Sequence, residues 1–173
     1  MCIEPISFFI PLKYPVSELV PSPGSTISAL AEAKFYLIKL ATHDSQSLFG
    51  EIREGYFHLN SLGQIAADEW TRSTQANPSI DAEQPIIQPG ALQGIVRMRI
   101  PQNGGDYVAA TSGKPRLLSS FVAGYKAAVA KRINLLRNCP GQPVWQRSYY
   151  ERLLTDEMSR QRTRQMLRQP AAS

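Results

Sequence analysis

The run from Leu117 to Arg137 restricts this chain more than any other part of it. Leu118, Phe121, Val122, Tyr125, Val129, Ile133 and Leu136 recur at helical spacing and form one apolar stripe, while Lys126, Lys131, Arg132 and Arg137 fall off it. The spacing predicts a long amphipathic helix, and such a helix is stable only when its stripe lies on another apolar surface. The stretch "KFYLIKLAT" (34–42) supplies a candidate for that surface. Its aromatic and branched residues predict a strand.

Other elements can be read around these two. "SLFGEIREGYFHLN" predicts a loop and hairpin turning at Glu54-Gly55. In "SLGQIAADEWTRS", Leu62, Ile65, Ala66 and Trp70 predict a helix capped by Asn60 or Ser61. Residues 85–100, "PIIQPGALQGIVRMRI" from Pro85, predict one further strand bent at a tight place, and 101–115 has the composition of a loop. Ser148 and Glu151 have capping-box spacing and predict a helix start. "TDEMSRQRTRQMLRQP" predicts a last helix with acids at its start and four arginines after them. Residues 1–33 hold five of the thirteen prolines and predict an irregular arm. The expected organisation is an arm (1–33), one α+β domain (34–170) with helices packed on one face of a small antiparallel sheet, and a tail (171–173).

Composition narrows the function classes. Cys2 and Cys139 stand alone, with no Cys or His at metal-ligand spacing, which argues against a disulfide framework or zinc site and for a reducing cytoplasm. No apolar run approaches the roughly 20 residues that span a bilayer, and the proline-broken opening lacks the basic segment of a signal peptide. Charge is divided unevenly. Residues 1–112 hold seven Lys/Arg against eleven Asp/Glu, a net −4, whereas 113–173 hold twelve against three, a net +9. A basic half of that size is an electrostatic footprint for a polyanion, and the scarcity of acids there weakens the alternative of solvated helix faces.

The run "CPGQPVWQRSYYERLLTDE" (139–157) carries more specific information. Its Gly141, Pro143, Val144, Trp145, Gln146, Arg147, Tyr149, Tyr150 and Glu151 closely resemble the signature of the REP-associated tyrosine transposases, which belong to the single-tyrosine HUH transposases. The helix before it and the segment "LFGEIREGYFHLNSLGQIAADEW" are similar to that family too, so the resemblance spans about residues 34 to 170. It implies a ferredoxin-like (RRM-like) sheet, cleavage and rejoining of single-stranded DNA beside imperfect hairpins, a His-x-His pair holding magnesium or manganese, and a tyrosine nucleophile on a helix. DNA, single-stranded or hairpin, is the implied partner, no membrane is involved, and a homodimer stays open. The implied location is the cytoplasm, at the nucleoid.

Carried over residue by residue, the family's chemistry is missing here. Pro89, Gly94 and Ile95 keep the register of the family's central strand, so its two histidines fall at Ala91 and Gln93. Alanine has no lone pair to give, and a glutamine carbonyl is a weak ligand for a hard cation. The tyrosine falls at Met166, to within about one position, and no tyrosine follows Tyr150. A bound metal is therefore not expected. The implied DNA contacts are Lys126, Lys131, Arg132, Arg137, Trp145, Arg147, Tyr149, Tyr150, Arg152 and Arg164. Trp145 reads first as a structural wedge and second as a base-stacking ring, and Tyr149 and Tyr150 as packing with DNA contact. His43 and His58 are isolated, and Arg160, Arg164 and Arg168 share one helix face, either solvated or lining a backbone groove. These residues leave open a DNA-binding relative unable to cleave, a decayed gene product, and an active transposase or nickase using substitute residues. A basic protein-interaction module is the distant fourth. Loss of both ligands and the nucleophile favours the first two.

Overall fold

The computed structural model of the protein describes residues 33–99 and 116–168. The arm expected at 1–33 lies outside them except for Ala33, as do the loop expected at 101–115 and the tail at 171–173. In chain order the elements are β1 (Ala33–Ala41), β2 (Gly50–Arg53), β3 (Tyr56–Leu59), α1 (Ser61–Gln75), β4 (Ile80–Ala82), β5 (Ile86–Gln88), β6 (Ala91–Arg99), α2 (Arg116–Leu136), β7 (Tyr150–Leu154) and α3 (Glu157–Arg168). The main sheet is antiparallel and runs β4-β6-β1-β7, with β5 on the same edge of β6 as β4; β2 and β3 form a separate hairpin.

Alternation along β1 and β6 gives the sheet two unlike faces. Tyr36, Ile38, Leu40, Leu92, Val96 and Met98 point to one face, where the apolar sides of α1 and α2 cover them. Six of the seven stripe residues expected on α2 are buried there; Leu136, in its last turn, is exposed. Trp70 of α1 sits at the centre of this core, edge-on to Phe121 and Tyr125, and its indole N–H donates to the Glu83 carbonyl at 2.9 Å. The Tyr125 hydroxyl donates to the Ala66 carbonyl at 2.8 Å, tying α2 to α1. Leu37, Ile95 and Leu154 point to the other face, where Phe35 and Leu167 of α3 pack on them. The α+β sheet fold is as the sequence suggests, with two helices on one face, while α3 lies across part of the other.

Local signals decide several boundaries. Asn60 caps α1 by accepting from the Gly63 N–H at 2.9 Å. Glu54 and Gly55 carry φ of 53° and 80°, as a tight two-residue hairpin requires. Asp156 accepts from the Ser159 N–H at 2.7 Å at the head of α3, and this bond, first among its causes, holds its carboxyl below the usual carboxylate range.

Three expectations are corrected. Ser148 does not start a helix: Tyr150–Leu154 pair with Phe35–Lys39 and close the sheet. A helix cap is worth about 1 kcal/mol, which is less than the ladder bonds and the burial of Leu154 together. The strand expected over 85–100 is two strands, β5 and β6, folded back at Pro89-Gly90. Cys139 is buried and disulfide-bonded, against the expectation of no disulfide, and the other cysteine, Cys2, lies outside the described residues. Among the described residues no helix is long and apolar enough to cross a membrane.

Candidate nucleic-acid interface

The β5–β6 turn is tight for packing reasons. A Cβ on Gly90 would stand 3.0 Å from the Ser45 carbonyl oxygen and 3.1 Å from that of Gln46, because the 42–46 segment folds directly over it. The Thr42 N–H donates to the Gly90 carbonyl at 3.0 Å, and the Thr42 hydroxyl, 3.1 Å from the same oxygen, donates at 2.7 Å to the Gln46 carbonyl. A Cβ on Gly94 would lie 2.6 Å from the Trp70 ring, so glycine is what lets that indole rest on the sheet. Both glycines therefore serve the fold, one under a turn and one in the helix-covered core.

Ala91 and Gln93 project from the opposite face of β6. Ala91 is 8% exposed. The Gln93 side-chain amide donates to the Gln88 side-chain oxygen at 3.1 Å. Neither residue fits a divalent cation: alanine has no donor atom, and the glutamine is engaged with a neighbouring amide. Among the described residues, no three of His, Cys, Asp and Glu converge as a metal would need. His43 lies beside Asp44 in a surface turn, Nδ1 to carboxylate 3.0 Å, and His58 is on β3, in the separate hairpin rather than the main sheet.

Thr163 and Leu167 of α3, one turn apart, face the sheet, the first buried and the second packed on Leu37, Ile95 and Leu154. Met166 is 52% exposed and points elsewhere. Tyr149 packs against the helix-covered core with its hydroxyl 3.4 Å from that of Ser119. Burial is the chief reason its hydroxyl pKa is pushed up to about 12. It holds its proton at neutral pH, the opposite of what an activated nucleophile requires. Tyr150, in contrast, is 53% exposed and lies on the same face as Gln93.

The expected DNA contacts divide into engaged and open groups. Lys126 donates from Nζ to the Gln146 carbonyl at 2.5 Å and the Arg147 carbonyl at 3.1 Å, and burial holds its pKa below the usual lysine value. Arg132 clamps α2 to Glu69 of α1 at 3.0 Å. Arg137 donates to the Asn134 side chain and lies partly buried, which lowers its pKa. Arg164 places Nη2 2.6 Å and Nε 2.8 Å from one Glu83 oxygen, and these bonds, first among the causes, raise its pKa. Arg160 pairs with Glu157 and stacks on the Phe35 ring at 4.2 Å. The arginine face of α3 is thus neither simply solvated nor a ready-made groove, since Arg160 and Arg164 are turned to partners within the chain.

Trp145 is 8% exposed, against Phe49 and Tyr125 at centroid distances of 5.2 and 6.0 Å. Its ring presents no surface on which a base could stack, which corrects the stacking expectation in favour of the wedge. Lys131 and Arg147 are exposed, with no hydrogen-bonded or ionic side-chain partner among the described residues. Arg152 is exposed and donates to the Thr163 hydroxyl at 3.1 Å.

The register also assembles a row that sequence reasoning missed. Lys39 of β1 stands opposite Gln93 on one side and Tyr150 on the other. Strand alternation marks Lys39 as facing away from Ile38 and Leu40, but only the strand order shows which residues flank it.

Comparison with known proteins places the chain among relatives. A protein of Haemophilus influenzae, described as uncharacterized, is 30% identical over 134 residues, which cover 72% of this chain and 73% of that protein. The chain belongs to that protein's family. No family model matches the chain. Among solved structures, a REP-associated tyrosine transposase bound to a REP hairpin superposes with a TM-score of 0.50 at 10% identity, over 81% of this chain and 68% of that one. A candidate transposase from Deinococcus radiodurans superposes with a TM-score of 0.46 at 16% identity, over 87% of this chain and all of that one. The first of these likenesses is one of fold: both chains set helices against an antiparallel sheet.

Proposed function

We propose that the protein is a DNA-binding relative of the REP-associated tyrosine transposases that recognises single-stranded or hairpin DNA and does not cleave it. The observation that carries the second half is the make-up of the sheet face where the family resemblance puts the metal: Ala91 and an amide-paired Gln93, with Thr163 and Leu167 on the helix above. Without a metal to polarise the phosphate and a tyrosine to attack it, both steps of strand transfer lose their agent. The first half is supported by the +9 charge of residues 113–173, by the open cations Lys131 and Arg147, and by the fold shared with a transposase bound to a REP hairpin. Binding on this reading needs no divalent cation.

The test is titration of labelled hairpin and single-stranded oligonucleotides with the full chain, across a range of salt, with and without magnesium or manganese. Affinity is expected to fall steeply with salt, to survive a chelator, and to leave the oligonucleotide intact. A covalent tyrosine–DNA product overturns the inactivity. A salt-independent response, or no binding to any oligonucleotide, overturns the DNA reading.

A further inference from the structure

The open end of the sheet face opposite α1 and α2 has the form of a platform for a single nucleotide. The cross-strand row Gln93–Lys39–Tyr150 runs over three neighbouring strands, β6, β1 and β7. At about 4.8 Å between strands, the two ends of that row stand about 10 Å apart at the backbone. The next row toward the β5–β6 turn begins with Ala91 opposite Ala41, side chains too small to rise above the sheet. In the other direction the row Leu37–Arg152 meets α3, where Arg152 donates to Thr163. The row Gln93–Lys39–Tyr150 thus lies between the part of the sheet that α3 covers and the small side chains beside Gln88, with Lys39 and Tyr150 exposed.

We propose that this row holds one unstacked base of a single-stranded DNA, in the place where the family resemblance puts a metal. The inference deepens the DNA-binding reading and rests on it. Tyr150 offers an exposed ring for stacking, a sequence-tolerant contact because every base has a π-face. Lys39 is exposed between ring and amides and carries the positive charge that a phosphate next to a stacked base requires. The Gln88–Gln93 pair uses one donor and one acceptor on itself and leaves one amide oxygen and one amide nitrogen for a ligand. That holds for either orientation of the two amides, and such a donor–acceptor pair matches the edge of an unpaired base. A base can use the ring and the amide pair together.

The experiment uses the full chain and a single-stranded oligonucleotide carrying a 5-iodouracil at successive positions. Light-induced crosslinking is expected at one position, on the peptide that contains Tyr150. Tyr150→Ala should weaken binding about tenfold or more, while Tyr150→Phe keeps it, because stacking needs the ring and not the hydroxyl. Lys39→Gln should lower the slope of log affinity against log salt by about 0.7, the contribution of one single-strand phosphate contact. Unchanged thermal unfolding of these exposed-residue variants shows that the losses are local. If the wild-type chain binds no oligonucleotide, the DNA reading itself falls. If it binds, but Tyr150→Ala and Lys39→Gln bind equally well or the crosslink maps elsewhere, the DNA reading stands and the platform is wrong. Tighter binding of the same sequence as RNA overturns the assignment to DNA.

Discussion

The two faces of the main sheet are built from alternate residues of the same strands, yet they do different work. On the face under α1 and α2, Tyr36, Ile38, Leu40, Leu92, Val96 and Met98 are apolar and closed over by Trp70, Phe121, Tyr125 and Val129. On the other face the apolar contact shrinks to Leu37, Ile95 and Leu154 with Phe35 and Leu167, and beyond it stand Lys39, Gln93, Gln88 and Tyr150. One face concentrates the burial that stabilises the fold, which frees the other to carry polar groups at positions set by register alone. A sheet of this kind can lose a set of functional side chains on its second face without losing its shape. On the proposed function, Ala91 and Gln93 are two such positions.

Substitutions on the two faces can break this comparison. Trp70→Ala is expected to have the largest effect, about 3–5 kcal/mol of unfolding free energy in a denaturant titration, because the ring is fully enclosed and also satisfies the Glu83 carbonyl. A loss below about 1 kcal/mol would mean that the covered face does not dominate stability. Gly94→Ala should cost about 1–3 kcal/mol, since the added methyl meets the Trp70 ring rather than a flexible chain end. Arg164→Gln probes the other face. Its partner Glu83 is part-exposed, so the global loss should stay within about 1 kcal/mol, with faster amide hydrogen exchange confined to α3. An effect as large as that of Trp70→Ala would make α3 part of the main cooperative core and erase the distinction.

Several elements could be read locally because their signals are local. The branched and aromatic run of β1, the Glu54-Gly55 turn, the Asn60 cap, the stripe of α2 and the acidic start of α3 all stand where residue chemistry places them. The failures have one cause. Tyr150–Leu154 has a helix-start pattern in front of it, but its pairing with β1 depends on partners far away in the chain, and β4 is three residues long, with no pattern of its own.

The candidate site was legible in the same uneven way. That Ala91 and Gln93 share a face follows from strand alternation, and that a basic half seeks a polyanion follows from counting charges. Which cations remain open does not: Lys126, Arg132 and Arg137 are as basic in the sequence as Lys131 and Arg147, and only packing turns the first three onto partners within the chain.

By itself the sequence determined most of the helices and strands, the resemblance to a transposase family and which residues fall at the ligand positions that resemblance implies, because all three depend on residue identity at short spacing. The tertiary structure alone decided that Tyr150 belongs to a strand, that Trp145 is core, and that Lys39 stands between Gln93 and Tyr150. Those facts depend on which strands lie side by side, and strand order is settled by the burial of the whole chain.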